Sequence, residues 1–141
     1  MSAVSIPSPF PRPVLFLVVV YFVASLVHFA HNAEYIALYP NMPVWLGRAD
    51  VYLAWLAVSA VGIAGGLMWA RGWQVAGLLL LGLYGFLGLD GLAHYTLALC
   101  SEHSLIMNLT IWFEALAGIA LAGAACRHIV LTRVAKKRSY A

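Results

Sequence analysis

Residues 51–70 read VYLAWLAVSAVGIAGGLMWA, with no Asp, Glu, Lys or Arg between Asp50 and Arg71. About 20 apolar residues wound as an α-helix cross the hydrocarbon core of a bilayer. Upstream, residues 13–33 form a second charge-free run, PVLFLVVVYFVASLVHFAHNA, between Arg12 and Glu34. Downstream, a third run begins at Gly72, meets its first charge at Asp90 and stays apolar to Leu99. A fourth extends from Ser104 to Cys126 with Glu114 inside it. In lipid each span must satisfy its own backbone N–H and C=O groups, which an open sheet cannot do, so the spans are read as helices. The expected fold class is an all-α integral membrane protein. It has four transmembrane helices, over about 13–35, 51–70, 73–99 and 104–126, in an up-down-up-down bundle.

Composition agrees with that solvent. The 141 residues are 64% hydrophobic and only 9% charged, against about 25% charged in soluble domains, and the mean hydropathy is +0.91. No separate soluble module fits between the spans, and no nucleic-acid partner is expected. The first run continues past signal-peptide length and has no basic segment before it beyond Arg12, so it is kept as a membrane helix. Arg12, Arg71, Arg127, Arg133, Lys136, Lys137 and Arg138 fall on one side of a four-span arrangement and only Arg48 on the other. The positive-inside rule then predicts cytoplasmic termini, with 1–12 an N-terminal segment, 13–126 the membrane domain and 127–141 a basic tail. The expected location is a cell membrane, multi-pass, of the bacterial inner-membrane type. Cys100 and Cys126 lie at opposite ends of their helices and cannot pair within one chain.

Connections are short except the outer one from Glu34 to Asp50, whose Tyr39-Pro40-Asn41-Met42-Pro43-Val44-Trp45 is expected to cover the outer mouth of the bundle. Arg71-Gly72 makes the second and third helices a tight hairpin. Glycines at 82, 85, 88 and 91, and at 62 and 66, read as packing surface, because small residues let helix backbones approach in lipid.

Polar residues concentrate on three of the helices. His28, His31, Asn32 and Tyr35 recur at i, i+3, i+4 and i+7 and share a face. Asp90 and His94 are spaced i and i+4, and His103, Thr110 and Glu114 form a stripe, with Ser104 and Asn108 beside it. Glu114 lies about 15 Å below the start of its helix, where an ionised acid costs at least roughly 2.5 kcal/mol. Some polar residues have simpler roles: Asp50 as an N-cap, His103 with Glu102 and also His128 as solvated groups, Tyr95, Trp45 and Trp55 as interface aromatics. His28, His31, Asp90, His94 and Glu114 remain as one shared interior site.

Three functions follow. The first is a transition-metal or haem site, with His28, His31, His94, Asp90 and Glu114 as ligands and Asn32, Tyr35 and Asn108 hydrogen-bonding around them. A haem would take His94 with His28 or His31 as axial ligands. The Glu-x-x-His repeat of di-iron bundles is absent. The second is metal-free acid–base chemistry or binding of a lipid-like ligand, with Glu114 and Asp90 as the catalytic carboxyls. The small size, four-helix layout and buried histidines with acids resemble the EXPERA group of sterol isomerases and ligand-binding membrane proteins, and the resemblance implies a lipid-like ligand. It is one of layout and carries no site residues, and the DoxX-like four-helix proteins are no closer. The third is a homo-oligomer, or a non-catalytic subunit or assembly factor, that packs its glycine-rich faces within a larger membrane complex. The residue types place the metal or haem reading first.

Overall fold

A computed structural model describes residues 10–138, with side-chain surroundings described as far as Val134. The expected N-terminal segment before Phe10 and the end of the tail after Arg138 lie outside the described residues. Helix α1 spans Arg12–Glu34, with Pro11 extended just before it and Pro13 in its first turn, where a missing N–H costs nothing. A 3-10 turn, Ile36–Leu38, leads into the connecting loop. Helix α2 spans Arg48–Ala70. It starts three residues earlier than the sequence suggests, with Gly47 at the cap position. Asp50 is therefore not the N-cap: it reaches back from inside the first turn, its Oδ2 accepting the Gly47 N–H at 2.8 Å.

Gly72, at φ +86°, turns the chain into α3, Gln74–Leu87. The expected single helix over 73–99 is broken here. After Gly88 the chain tightens into a 3-10 turn, Asp90–Ala93, and then a four-residue helix α4, His94–Leu97. Asp90 and His94 thus fall on two successive short elements rather than one turn apart on a single α-helix. A further 3-10 turn, Cys100–Glu102, precedes α5, Leu105–Arg138. At roughly 1.5 Å per residue, this helix of 34 residues outruns the hydrocarbon core, and it carries the basic residues from Arg127 to Arg138 as a continuation of the span.

No strand occurs among the described residues. Four helical stretches are long and apolar enough to cross a membrane: Arg12–Glu34, Arg48–Ala70, Gln74–Leu97 and Leu105–Val134. Their outward faces expose large apolar side chains such as Phe16, Leu53, Ile63, Leu79, Phe86 and Ile119. In a bilayer those faces need no cover.

The tight core lies toward the end of the bundle that holds the Arg71–Trp73 turn, hereafter the turn end. Tyr21 and Tyr84 pack edge to face at 4.5 Å among Leu78, Leu81 and Leu121. Backbones come close at glycines. A Cβ on Gly85 would stand 2.6 Å from the Gly118 carbonyl oxygen, one on Gly77 2.8 Å from that of Gly65, and one on Gly62 2.8 Å from the Tyr84 ring. The contacts of 62 with 84, 65 with 77 and 81, and 69 with 77 give α2 and α3 the register of an antiparallel hairpin. Gly66, expected to pack with Gly62, faces open space, and Gly65 takes that place. Both cysteines are free and exposed.

Candidate functional site

At the other end, where the loops 35–47 and 98–104 gather, the core turns polar. His28 and Asn32 stand one turn apart on the buried face of α1, and Thr110 and Glu114 one turn apart on the buried face of α5. These two polar pairs meet. His28 Nε2 lies 3.6 Å from Glu114 Oε2, and His28 Nδ1 lies 3.4 Å from Thr110 Oγ1. His28 is 2% exposed and Glu114 is not exposed at all. Neither carboxyl oxygen of Glu114 has a hydrogen-bond partner among the described residues, nor does the buried Tyr21 hydroxyl. Such groups ordinarily cost about 1–3 kcal/mol each when left unmatched.

The break in the third span creates this meeting place. Gly91, in the 3-10 turn, brings bare backbone beside the pair: a Cβ there would stand 3.2 Å from Glu114 Oε2 and 3.5 Å from His28 Nε2. Gly88 does the same for Tyr21, whose ring would lie 2.6 Å from an added Cβ. A regular helix with side chains at both positions would push α1 and α5 apart.

Beyond His28 the polar core continues toward the loops. The His94 ring centroid is 5.6 Å from that of His28, and its Nε2 accepts from Asn32 Nδ2 at 3.0 Å in the assigned amide orientation. Tyr39, in the segment expected over the mouth, is 3% exposed, with its ring 4.9 Å from His94. Its hydroxyl lies 2.9 Å from His31 Nδ1, and Thr110 stands close enough to act on it. Burial pushes the Tyr39 phenol up to about 12, against an opposing pull from Thr110. His103 is buried at 6% exposure, which corrects its expected place as a solvated group beside Glu102. The reason is local. Glu102 Oε2 accepts the Leu99 N–H at 2.7 Å, and Asn108 Nδ2 donates to the Cys100 and His103 carbonyls, folding the loop back over α5. The His103 ring is tucked under, with Nδ1 3.0 Å from the Leu99 carbonyl, its centroid 6.1 Å from that of His94 and its Nε2 without a partner.

Two clefts flank this polar core. One, of about 610 Å³, opens between the end of α1 and the start of α5 and is lined by His31, Tyr35, Leu38, His103, Ile106 and Met107 among others. The other, of about 280 Å³, lies between α1, the loop and the start of α2, and is mostly apolar through Phe29, Met42, Leu46 and Val51, with Asn32, Asp90 and His94 in its wall.

Of the residues singled out in the sequence, His28, Asn32, His94 and Glu114 therefore share one buried cluster. His31 joins it through Tyr39. Asp90 does not meet the His28–Glu114 pair: it is exposed in the smaller cleft, near enough to act on Glu114 through its charge. Tyr35 caps α1 and is exposed, its ring 4.8 Å from His31. Asn108 braces the loop, accepting from the Tyr95 hydroxyl at 2.8 Å, rather than supporting the histidines of α1. Among the described residues no three His, Cys, Asp or Glu side chains are arranged to hold one metal ion. The His94 Nε2 that a haem would need is engaged by Asn32. Tyr39 and Gly91 are site residues that carry no signal in the sequence, and Thr110 shows there only as one member of a stripe. The i, i+4 spacing of Thr110 and Glu114 was the available signal.

Comparison with protein-family models, with curated proteins and with solved structures gives no match. The site therefore stands on its geometry alone.

Proposed function

We propose that this chain is a multi-pass protein of a bacterial inner membrane, its spans alternating in direction and both termini cytoplasmic, that carries out metal-free acid–base chemistry on a lipid-like ligand. The single observation that carries the reading is Glu114: fully buried, both oxygens unpartnered, 3.6 Å from the buried His28. An apolar interior strongly disfavours net charge, so an isolated ionised acid there is costly. A carboxyl and an imidazole that hold one proton between them are neutral as a pair in either arrangement. Such a pair can give that proton to a ligand and take it back, which is the requirement for general acid–base catalysis. The apolar cleft lined by Asn32, Asp90 and His94 offers a lipid-like molecule access from the side, through a wall connected to His28 by ring contact. Orientation is supported by the basic residues gathered on α5 and at Arg12 and Arg71.

The test is infrared difference spectroscopy of the purified full chain across a pH step, with elemental analysis and lipid mass spectrometry on the same sample. The expected result is a carboxyl signal that vanishes in Glu114→Gln, in protein that carries a bound lipid-like molecule and no stoichiometric metal. A spectrum indifferent to Glu114→Gln, or a stoichiometric metal lost with His28→Ala, overturns the reading.

A further inference from the structure

Glu114 is sealed from water, so its proton must arrive through protein. From the larger cleft a run of hydrogen-bonding groups leads to it. His31 lines that cleft and is half buried. Its Nδ1 meets the Tyr39 hydroxyl at 2.9 Å, Thr110 stands near that hydroxyl, Thr110 Oγ1 lies 3.4 Å from His28 Nδ1, and His28 Nε2 lies 3.6 Å from Glu114 Oε2. Imidazole, phenol and hydroxyl groups both donate and accept, so each link can take one proton and pass on another. Asn32, an amide that holds hydrogen bonds but is a poor proton relay, lies on the separate branch to His94. We propose that His31, Tyr39, Thr110 and His28 form a proton path between the open cleft and the buried Glu114.

The transfer balances in sequence. A proton from cleft water binds His31 Nε2, and His31 releases its Nδ1 proton to Tyr39. Tyr39 passes its hydroxyl proton to Thr110, and Thr110 turns its own from the Met107 carbonyl, which it bonds at 3.0 Å, to His28 Nδ1. His28 then gives its Nε2 proton to the Glu114 carboxylate. Run backwards, the same steps empty Glu114 and restore each tautomer. The step from Tyr39 to Thr110 and the last gap are not direct hydrogen bonds, and a small side-chain shift or one water closes each. Other ionisable groups acting on Glu114 are Tyr21 of α1, Tyr84 of α3, Asp90 of the 3-10 turn and Tyr39 itself. The Tyr21 and Tyr84 hydroxyls have no hydrogen-bond partner among the described residues, and Asp90 belongs to the smaller cleft.

This proposal rests on the His28–Glu114 reading, and the two fail differently. The measurement is the relaxation rate of the Glu114-dependent infrared signal after a rapid pH step, on the full chain in lipid nanodiscs. Tyr39→Phe and Thr110→Val should slow it by roughly a hundredfold, the scale of one acid–base group, while final amplitudes stay at wild type. Thr110→Ser should keep the rate. His31→Phe should be slow, and millimolar imidazole in the buffer should restore it through the open cleft, a rescue that a merely structural histidine would not show. A wild-type rate in Tyr39→Phe with full amplitude overturns the path and leaves the His28–Glu114 pair standing. If Tyr39→Phe loses amplitude through misfolding, equal rates in Thr110→Val and Thr110→Ser overturn it instead. Absence of any Glu114-dependent signal in wild type removes both.

Discussion

The two ends of this bundle solve opposite problems with the same residue. At the turn end, glycine lets backbones touch: Gly85 against Gly118, Gly65 against Gly77, with Tyr21 and Tyr84 filling the remainder. At the loop end, Gly91 holds open a position between a carboxyl and an imidazole that a side chain would crowd. In lipid there is little hydrophobic gain from bringing helices together, so close dispersion contacts must supply stability. The turn end does that. Apart from the Tyr21, Ser59 and Tyr84 hydroxyls, the unmatched buried polar atoms among the described side chains lie at the loop end, on Glu114, Asn32 and His103, a cost that stable proteins tolerate where the groups are used.

The largest expected effect tests the first half of that contrast. In Gly85→Val the new Cβ would meet the Gly118 carbonyl oxygen at 2.6 Å and Ala122 N at 3.0 Å, both backbone atoms that a rotamer change cannot move. Overpacking of this kind costs about 1–3 kcal/mol, and the thermal unfolding temperature in detergent should fall clearly below wild type. Gly66→Ala, with nothing within 4 Å of the new methyl, should unfold with the wild type. Equal losses in the two would show that glycine at the turn end matters for something other than backbone approach.

Glu114→Met should move stability the other way. It replaces a buried carboxyl whose oxygens lack hydrogen-bond partners by a flexible apolar chain of similar length, which removes a cost of about 1–3 kcal/mol, and His28 left beside it is neutral. The expected outcome is an unfolding temperature at or above wild type together with loss of the carboxyl infrared signal. A marked drop in stability would mean that Glu114 is a structural member of the core and would erase the distinction between the two ends.

Gly91→Ala sits between these in size. Its methyl would press on Glu114 Oε2 at 3.2 Å and His28 Nε2 at 3.5 Å, both ends of side chains that can yield, so the stability cost should be about 1 kcal/mol. The site should change more than the fold: the pH-step infrared signal should shift in position while circular dichroism keeps its wild-type helical form. An unchanged signal would show that the carboxyl and imidazole act independently.

The readability of the chain follows the same division. Span positions could be read because lipid solvent demands long charge-free runs, and the runs around Val51–Ala70 and Pro13–Ala33 leave no alternative. Burial of His28 and Glu114 was also legible, since costly groups inside a span must face the bundle. The break after Leu87 was not. Gly82, Gly85, Gly88 and Gly91 look alike in sequence, yet the first two lie within α3 and the last two adjoin or enter the 3-10 turn, a difference set by Tyr21, His28 and Glu114 arriving from other helices. His103 was misplaced and Tyr39 passed over for a related reason. Loop residues carry no periodicity, and the burial of His103 depends on Asn108 and Glu102 folding the chain back, that of Tyr39 on His94 and His31 beneath it.

The smallest expected effect lies on the rim of the loop end, where charge is exposed. Arg48 pairs with Glu34 at 2.8 Å and Tyr52 donates to the same carboxyl at 2.8 Å, linking the end of α1 to the start of α2. The side chains of the pair are 66% and 41% exposed. Water and salt screen such a pair, and its coupling should be about 0.2–1 kcal/mol. A double-mutant cycle of Glu34→Gln and Arg48→Met, read by thermal unfolding at low and high salt, should return a value in that range that shrinks with salt. The contrast with Glu114→Met is then one of environment: a charged group matched by a partner and by water, where removal costs a little, against a buried carboxyl without hydrogen-bond partners, where removal costs nothing. A salt-independent coupling well above that range would place the stability of the loop end in its rim, and the unmatched core at Glu114 would be held in place by that ion pair rather than by the packing of α1 on α5.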